Sequence, residues 1–294
     1  MCPPVLAGPL PPPEAITTLQ QLTSLTMLMH AGRDAPDDDW EEPWQQSLRP
    51  HLLHCTAMRR LLLDSVDPIP GLSQQEALAA WQQLEDLEFV LNNPEDFPTA
   101  NGDAGFWRAL PQLPCLTRLS ANGLKGGPSR ALSASLPARL ASLQLWDYSE
   151  PAFPPLPPTL TALELWGAGQ LSALPVSPGL HSLKLEYCDS LTQWPDSISA
   201  MVRLTCLCLN SCRLEQFPAQ LAALPALEAL DLSNTHLTDL PQELACATCL
   251  RWLNLHGNEL TRVPAVLGGG AASRLEHLDL NYNRRLSVNV KGLA

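Results

Sequence analysis

The motif Leu-x-x-Leu-x-Leu recurs through the second half of the chain, and this recurrence limits the possible folds more than any other feature. Its seven copies begin at Leu140, Leu160, Leu180, Leu204, Leu227, Leu250 and Leu275. Successive copies are 20, 20, 24, 23, 23 and 25 residues apart. A repeat of about 20 to 29 residues indicates a solenoid, in which each unit packs only against its neighbours. The length of 294 residues therefore reflects the number of repeat units and not the number of independent cores.

Each motif predicts one short β-strand. Side chains alternate across a strand, so the leucines at positions 1, 4 and 6 should point inward, and positions 3 and 5 should lie on the opposite face. A single unit cannot bury its leucines alone, and stacking of the units produces one continuous core. The sequence therefore predicts a parallel sheet with one strand from each unit.

Position 9 of the motif is where the chain should turn inward. In the last five units its residue is Cys, Thr or Asn, whose side chains can satisfy buried backbone groups at such a turn. The first two units depart from this pattern, and their turns should be looser or rebuilt. The seven residues are Tyr148, Ala168, Cys188, Cys212, Thr235, Asn258 and Asn283.

A second apolar position followed by Pro marks the return segment of five units. Pro fixes φ and needs no partner for a backbone N–H, which suits a return on the outer side. In the longer units Pro-x-x-Leu predicts a short helical turn, whereas the 20-residue units have room only for an extended return. The five apolar–Pro pairs are Leu174-Pro175, Trp194-Pro195, Phe217-Pro218, Leu240-Pro241 and Val263-Pro264, and we expect Trp194 and Phe217 to be core.

The combined pattern resembles the leucine-rich repeat family, from about residue 111 to the end of the chain. Units such as Leu240-Pro241-Gln242-Glu243-Leu244 are similar to the intracellular type with LPxxL returns. The 20-residue units resemble those of secreted bacterial effectors. The resemblance implies an α/β solenoid, a curved horseshoe with a parallel sheet on its concave face and short helical or extended returns on its convex face.

Residues 1–110 are less regular, yet the motif recurs there at long intervals. The copies begin at Leu22, Met58 and Leu84, and a further one follows at Leu116. We interpret this part as degenerate, longer repeats that precede the regular repeats of residues 111–294. A separate helical cap or partial disorder are the alternatives. The acidic segment 31–42 predicts a solvated loop, and contact with a basic partner is its alternative role.

The charge balance limits the class of partner. The chain has 18 Lys and Arg against 30 Asp and Glu, a net charge of −12. Nucleic acids and anionic membranes are bound through Lys and Arg, so neither is an expected partner. The first residues show neither a basic segment nor a long apolar run, and no apolar run of about 18 residues follows. We therefore expect a cytoplasmic or other intracellular protein, with a basic protein surface as the more compatible partner.

No constellation for catalysis, for a cofactor or for a metal emerges from the motifs. Cys206 and Cys208 should face the concave surface, whereas Cys246-x-x-Cys249 lies on a return segment, so the four cannot form one metal site. Cys188 is at position 9 and should be buried and unreactive. The sequence contains no P-loop, nucleophile elbow or His-Glu-x-x-His motif. We expect a protein that is not an enzyme.

The concave face is where binding residues are expected. Trp146 and Trp166 share position 7 in adjacent units and should lie side by side about 5 Å apart. Their alternative role is packing against neighbours or the preceding loop. Exposed Trp and Tyr dominate the energetics of protein interfaces. The predicted protein-binding residues are Trp146, Trp166, Glu164, Tyr187, Asp231, Trp252, His256, His277 and Tyr282.

These features predict a non-catalytic scaffold or adaptor that binds a protein partner on its concave face. Resemblance to the family implies roles in signalling, immunity, ubiquitin-ligase substrate choice or, for a GC-rich algal genome, the cytoskeleton or cilium. The alternative is the recognition domain of a larger ubiquitin ligase, receptor or effector whose catalytic part is elsewhere.

An intracellular location predicts that all nine cysteines are free thiols. Alkylation of the unfolded protein without reductant, followed by intact-mass measurement, should add nine adducts. A disulfide would leave two cysteines unmodified and would contradict the prediction.

Overall fold

A computed structural model of the chain describes about three fifths of its residues. The described residues are 5–6, 21–28, 55–64, 80–90, 110–122, 136–148, 153, 155–172, 177–191, 196–214, 217, 220–221, 224–268 and 274–287. The chain divides into two compact units, Met1–Trp146 and Asp147–Ala294. The acidic segment 31–42 and Trp194 lie outside the described residues. The predicted division near residue 110 concerns the regularity of the motif and stays a prediction.

Within its described residues, the first unit contains six strands that pair in parallel in the order of the sequence. All four irregular copies of the motif lie on these strands, each of which follows its neighbour in the sheet. The strands are β1 (Val5–Leu6), β2 (Ser24–Leu28), β3 (Arg60–Asp64), β4 (Asp86–Val90), β5 (Arg118–Asn122) and β6 (Ser142–Trp146).

The second unit contains six more strands, which also pair in parallel in sequence order. The first two have five residues and the last four have three. The strands are β7 (Ala162–Trp166), β8 (Ser182–Glu186), β9 (Cys206–Cys208), β10 (Ala229–Asp231), β11 (Trp252–Asn254) and β12 (His277–Asp279). The predicted parallel sheet of a leucine-rich repeat solenoid is confirmed.

Register in both units is set by the leucine at position 4 of the motif. In the second unit these leucines are direct partners from each strand to the next. They are Leu163, Leu183, Leu207, Leu230 and Leu253, and all are buried. Burial alternates along the strands as predicted, so a shift by one residue would turn every leucine outward.

Two predicted core positions are exposed. Leu278, at position 4 of β12, is 40% exposed, since within the described residues β12 has a neighbouring strand on one side only. Val263, the second apolar anchor of its unit, is also 40% exposed. By contrast, the corresponding Phe217 and Leu240 are buried as expected.

A tight turn precedes the strands and brings another buried residue into the core. The N–H of the first leucine of a motif donates to the carbonyl three residues earlier, as from Leu160 to Pro157 and from Leu204 to Met201. Pro157 and Met201 are buried. These units therefore bury an extra side chain before the first leucine, which the leucine pattern alone did not predict.

The return segments are short 3-10 helices where the unit is long enough. They span Asp196–Ala200, Gln242–Cys246 and Ala265–Gly268. The middle one confirms the helical turn predicted after Pro241, and its Leu244 is buried. No helix within the described ranges is long and apolar enough to cross a membrane.

The side chains at position 9 form a hydrogen-bonded ladder between successive units. Asn258 Oδ1 accepts hydrogen bonds from the backbone N–H groups of Thr235 at 3.2 Å and Leu237 at 3.0 Å. Its Nδ2 donates to the carbonyls of Leu232 at 2.7 Å and Leu255 at 3.0 Å. One buried amide therefore satisfies the turn of its own unit and that of the preceding unit.

The other ladder residues also donate hydrogen bonds to backbone carbonyls, through an amide, a hydroxyl or a thiol. Asn283 Nδ2 donates to Leu255 O at 2.9 Å, and Thr235 Oγ1 donates to Leu232 O at 2.7 Å. Cys212 Sγ donates to Leu185 O, in the preceding unit, at 3.3 Å. The role predicted for Asn, Thr and Cys at this position is thus observed.

Two units fill position 9 without such a polar group. Tyr148 is buried, and its ring packs on Phe153 with centroids 4.9 Å apart. Ala168 is fully buried as well. These turns are rebuilt around apolar packing, as the departure from the motif predicted.

The ladder predicts a large loss of stability for Asn258→Ala. The substitution leaves buried N–H and carbonyl groups unsatisfied, which we expect to lower the free energy of unfolding by about 3 kcal/mol. Urea denaturation followed by circular dichroism would measure the change.

Asn281→Ala is the matched control, because Asn281 is exposed and the hydrogen bonds that it makes in the turn involve its backbone N–H and carbonyl groups, which the substitution keeps. It should change the free energy of unfolding by less than about 0.5 kcal/mol. Equal effects of the two substitutions would show that the ladder amide contributes no more than a surface amide.

Candidate functional site

The candidate site is the face of the sheet that carries the side chains at motif positions 3, 5 and 7, together with position 8 of the following turn. We call it the strand face. The nine residues predicted for binding differ in exposure on it. Tyr187, Trp252, His277 and Tyr282 are exposed, whereas Trp146, Glu164, Trp166, Asp231 and His256 are half-buried.

The predicted pairing of Trp146 with Trp166 stays a prediction. Trp146 ends the first unit, whereas Trp166 belongs to the second. Both indole rings are only partly accessible, and both side chains have interactions with other residues. The more accessible aromatic side chains are Tyr187, 58% exposed, and Tyr282, 72% exposed.

The last two strands and the turns after them carry five neighbouring side chains, four of which were predicted for binding. Trp252 and His277 are direct partners in the register of β11 and β12. The rings of His256 and Tyr282 are 4.6 Å apart, and His256 Nδ1 is 3.8 Å from Asp279 Oδ2. We call Trp252, His256, His277, Asp279 and Tyr282 the β11–β12 cluster.

Carboxylates are concentrated in the middle of the strand face. Glu164 forms an ion pair with Lys184 at 2.8 Å, and this hydrogen bond raises the pKa of Lys184. Burial, and then the nearby negative charge of Asp231, raise the pKa of Glu186. Among the described residues, neither Glu186 nor Asp231 forms an ion pair with Lys or Arg, and the positive charge of the nearby Lys184 opposes the rise in the pKa of Glu186.

The first unit differs in this respect. Its carboxylates Glu85 and Asp86 pair with Arg59 at 2.7 Å and Arg118 at 2.6 Å, respectively. Each pair links residues of neighbouring strands. The strand-face carboxylates Glu186 and Asp231, by contrast, belong to the second unit and have no such ion pair among the described residues.

In the last repeats, the side chain at position 5 forms an Asx turn that ends the strand. Asp231 Oδ1 accepts a hydrogen bond from Ser233 N at 2.8 Å, and Asn254 Oδ1 accepts one from His256 N at 3.0 Å. Because the side chain replaces a sheet partner of this N–H, the strand stops after three residues. Asn254 Nδ2 also donates to Asp231 Oδ2 at 3.1 Å, which holds the carboxylate in place.

Position 8 adopts the left-handed backbone conformation in every one of the seven regular units. The φ angles lie between 54° and 68°. The residues are Asp147, Gly167, Tyr187, Ser211, Asn234, Gly257 and Tyr282. Gly, Asn and Asp tolerate this conformation, and their presence at four of these positions was the sequence signal for it.

Hydrogen bonds between successive repeats impose this conformation. The N–H at position 8 donates to the carbonyl at position 7 of the next unit, as from Tyr187 to Asn210 at 3.2 Å and from Asn234 to His256 at 2.8 Å. A Cβ on Gly257 would clash with Asn234 Oδ1. For a bulky residue the left-handed region costs about 1–2 kcal/mol, so the two tyrosines are held there under strain.

The cysteines are distributed as predicted between the strand face, the ladder and a return segment. Cys206 and Cys208 are half-buried on β9, and burial raises the pKa of the Cys208 thiol to about 12. Hydrogen bonding to Cys188 and burial raise the pKa of Cys212. Such thiols are poor nucleophiles near neutral pH. Within the described part of the chain, no three His, Cys, Asp or Glu side chains are close enough to hold a metal ion.

Comparison with known proteins identifies the repeats. Residues 202–260 match the family model described as leucine rich repeat. No curated protein matches the chain.

Three solved structures of leucine-rich repeat proteins are similar to this chain at low sequence identity. The functional domain of InlJ from Listeria monocytogenes, which includes a cysteine ladder, has 17% identity and a TM-score of 0.50, with 94% of this chain and 52% of that chain covered. An internalin, InlF, of the same species has 16% identity and a TM-score of 0.45, with 92% and 81% covered. A leucine-rich repeat protein of Leptospira interrogans has 17% identity and a TM-score of 0.35, with 91% and 86% covered.

These likenesses concern the fold and carry no information on partners. The family match covers units in which the Leu-x-x-Leu-x-Leu motif, the register of its leucines and the position 9 ladder occur together. With these features observed, residues 202–260 are leucine-rich repeats, and the described strands have the fold of a leucine-rich repeat solenoid.

Proposed function

We propose that this protein is a non-catalytic scaffold that binds a protein partner through its strand face, the face predicted to be concave. The observation that carries the proposal is the exposure of Tyr187, Trp252 and Tyr282 on one face of the second unit. Tyr and Trp are the residues that most often contribute large binding energies at protein interfaces.

The charge of the same face supports a basic partner. Glu186 and Asp231 lie between the exposed aromatic side chains without Lys or Arg partners among the described residues, and Asp279 adds a third carboxylate beside His256. Complementary charge steers association and excludes partners of the wrong sign. A partner that presents Lys or Arg side chains fits this face best.

An intracellular location is part of the proposal. Cys188 and Cys212 serve in the position 9 ladder as thiols that hydrogen-bond, and a reducing compartment preserves thiols. Cys208 lies on the strand face, and its thiol has a high pKa and is a poor nucleophile near neutral pH. This face therefore suits binding better than catalysis. Adaptor roles in signalling remain the function implied by the family.

Loss of the aromatic contacts should abolish partner capture. Affinity capture from an extract of the source cells would compare the wild type with Trp252→Ala/Tyr282→Ala. We expect at least one protein to be lost from the variant, because truncation of interface aromatics commonly costs about 2 kcal/mol or more, roughly a thirtyfold loss of affinity. Trp146→Ala/Trp166→Ala, run in parallel, tests whether binding extends to these two half-buried residues.

Val202→Ala/Val263→Ala is the matched control. Val202 and Val263 are exposed apolar residues, 53% and 40% exposed, that lie outside the strands. Capture should be unchanged by their truncation. Identical captures by all variants, with unchanged melting temperatures, would refute binding through the strand face.

The charge on the face should affect affinity for the captured partner. Glu186→Gln should weaken binding up to about fivefold at low ionic strength, and added salt should reduce the difference. Glu243→Gln is the control, because Glu243 is exposed on the 3-10 helix Gln242–Cys246. Equal dissociation constants for the two variants, measured by isothermal titration calorimetry, would argue against a basic contact at Glu186.

A further inference from the structure

We infer that Tyr187 and Tyr282 form two separate recognition sites for Arg or Lys side chains, spaced to bind one extended basic segment of a partner. This inference rests on the proposed function and specifies the chemistry and spacing of what the strand face binds. It depends on the exposure of the two rings, on their equivalent places in the repeat, and on the carboxylates in the same repeats.

The two tyrosines occupy the same motif position in different units. Both are at position 8, and both are the large side chains with the greatest exposure among the described apolar residues. Other units place Gly, Ser, Asn or Asp there, which fit the left-handed conformation with less strain or smaller bulk. Folding alone therefore favours a smaller residue at positions 187 and 282.

Each tyrosine has a carboxylate in its own repeat. Glu186 directly precedes Tyr187 in sequence, and its side chain lies on the strand face without a Lys or Arg ion pair among the described residues. The Tyr282 ring packs on His256, which is in turn 3.8 Å from Asp279. An exposed aromatic ring with carboxylates on the same surface suits guanidinium and ammonium groups, which gain both cation–π and ionic interactions.

The spacing of the two sites follows from the sheet. Tyr187 follows β8 and Tyr282 follows β12, and the intervening strands pair one after another. Four strand intervals correspond to about 19 Å. An extended peptide of about six residues covers that distance at roughly 3.3 Å per residue. The fitting partner segment therefore crosses the strands with two basic residues about six positions apart.

Ser211 and Asn234 lie at position 8 between these two sites. Both are small and polar, and the Ser211 hydroxyl is already bonded to Asn210 Oδ1 at 2.8 Å. Gly257 occupies the next position 8 and has no side chain. Between Tyr187 and Tyr282, position 8 therefore carries only small side chains or none, which leaves room for the backbone of the bound segment.

Rigid peptides of defined spacing test the inference. A polyproline II helix rises about 3.1 Å per residue, so a blocked peptide with five prolines between two arginines holds the arginines about 19 Å apart. We call it the spaced peptide. Its isomer, with two adjacent arginines followed by the five prolines, has the same composition and charge, and a third peptide with thirteen prolines between the arginines is too long.

Titration monitored by NMR would compare the affinities of the three peptides for the full chain. The spaced peptide should bind about fivefold more tightly than either of the others, the effect of one additional exposed cation–π contact.

Tyr187→Asn and Tyr282→Asn should each abolish this preference. Asn is already present at position 8 in residue 234, where it adopts the same conformation, so both variants should fold. Relief of strain should leave the melting temperature unchanged or raise it by about 2 °C. Ser211→Asn, a change at the same position between the two sites, should keep the preference.

Equal affinities for the two isomeric peptides, or a preference that survives both tyrosine substitutions, would overturn the inference. If all three peptides bind equally and Glu186→Gln weakens them, the strand face still binds basic groups, and only the two-site spacing fails. If no peptide binds, the inference fails and so does the basic-partner part of the proposed function, whereas capture by the wild type tests protein binding separately.

Discussion

In the last repeats of this protein, a side chain at position 9 satisfies buried backbone groups of the preceding repeat. The amide of Asn258 connects the turn of its own unit to the carbonyl and N–H groups of the preceding one. The same link is made by a thiol at Cys212 and by a second amide at Asn283. Without these side chains the inward turn after each strand would bury unsatisfied polar groups, and the leucines could not approach one another.

The ladder also explains the conformation of the residue before it. To direct position 9 inward while its own N–H remains bonded to the next unit, position 8 must take a positive φ. The geometry of the interior therefore determines the orientation of an exterior row. Gly257 and Asn234 meet this requirement with little strain, whereas Tyr187 and Tyr282 meet it at a cost in stability, which is typical of residues kept for function.

Different positions of the motif serve stability and recognition. Its leucines and ladder residues are buried and sustain the stack, while positions 3, 5, 7 and 8 can differ between units without changing the register. In the described part of the chain, ion pairs such as Arg59 with Glu85 involve carboxylates of the first unit, whereas Glu186 and Asp231 of the second unit form no ion pair with Lys or Arg. These two carboxylates lie on the same face as the exposed Tyr187, Trp252 and Tyr282, which makes that face a candidate surface for a basic partner.

The sequence by itself determined the strands, their parallel order and the inward leucines, because these depend on a period that is visible in the residues. It also placed Asn258, Cys212 and Thr235 at the turn and put Tyr187, Trp252 and Tyr282 on the outward face. Only the tertiary structure decided the left-handed row at position 8, the half-burial of Trp146 and Trp166, and the exposure of Leu278 and Val263. These properties depend on hydrogen bonds and packing with residues one repeat away, and the Gly, Asn and Asp residues at position 8 of four repeats were only a partial local signal for the left-handed row.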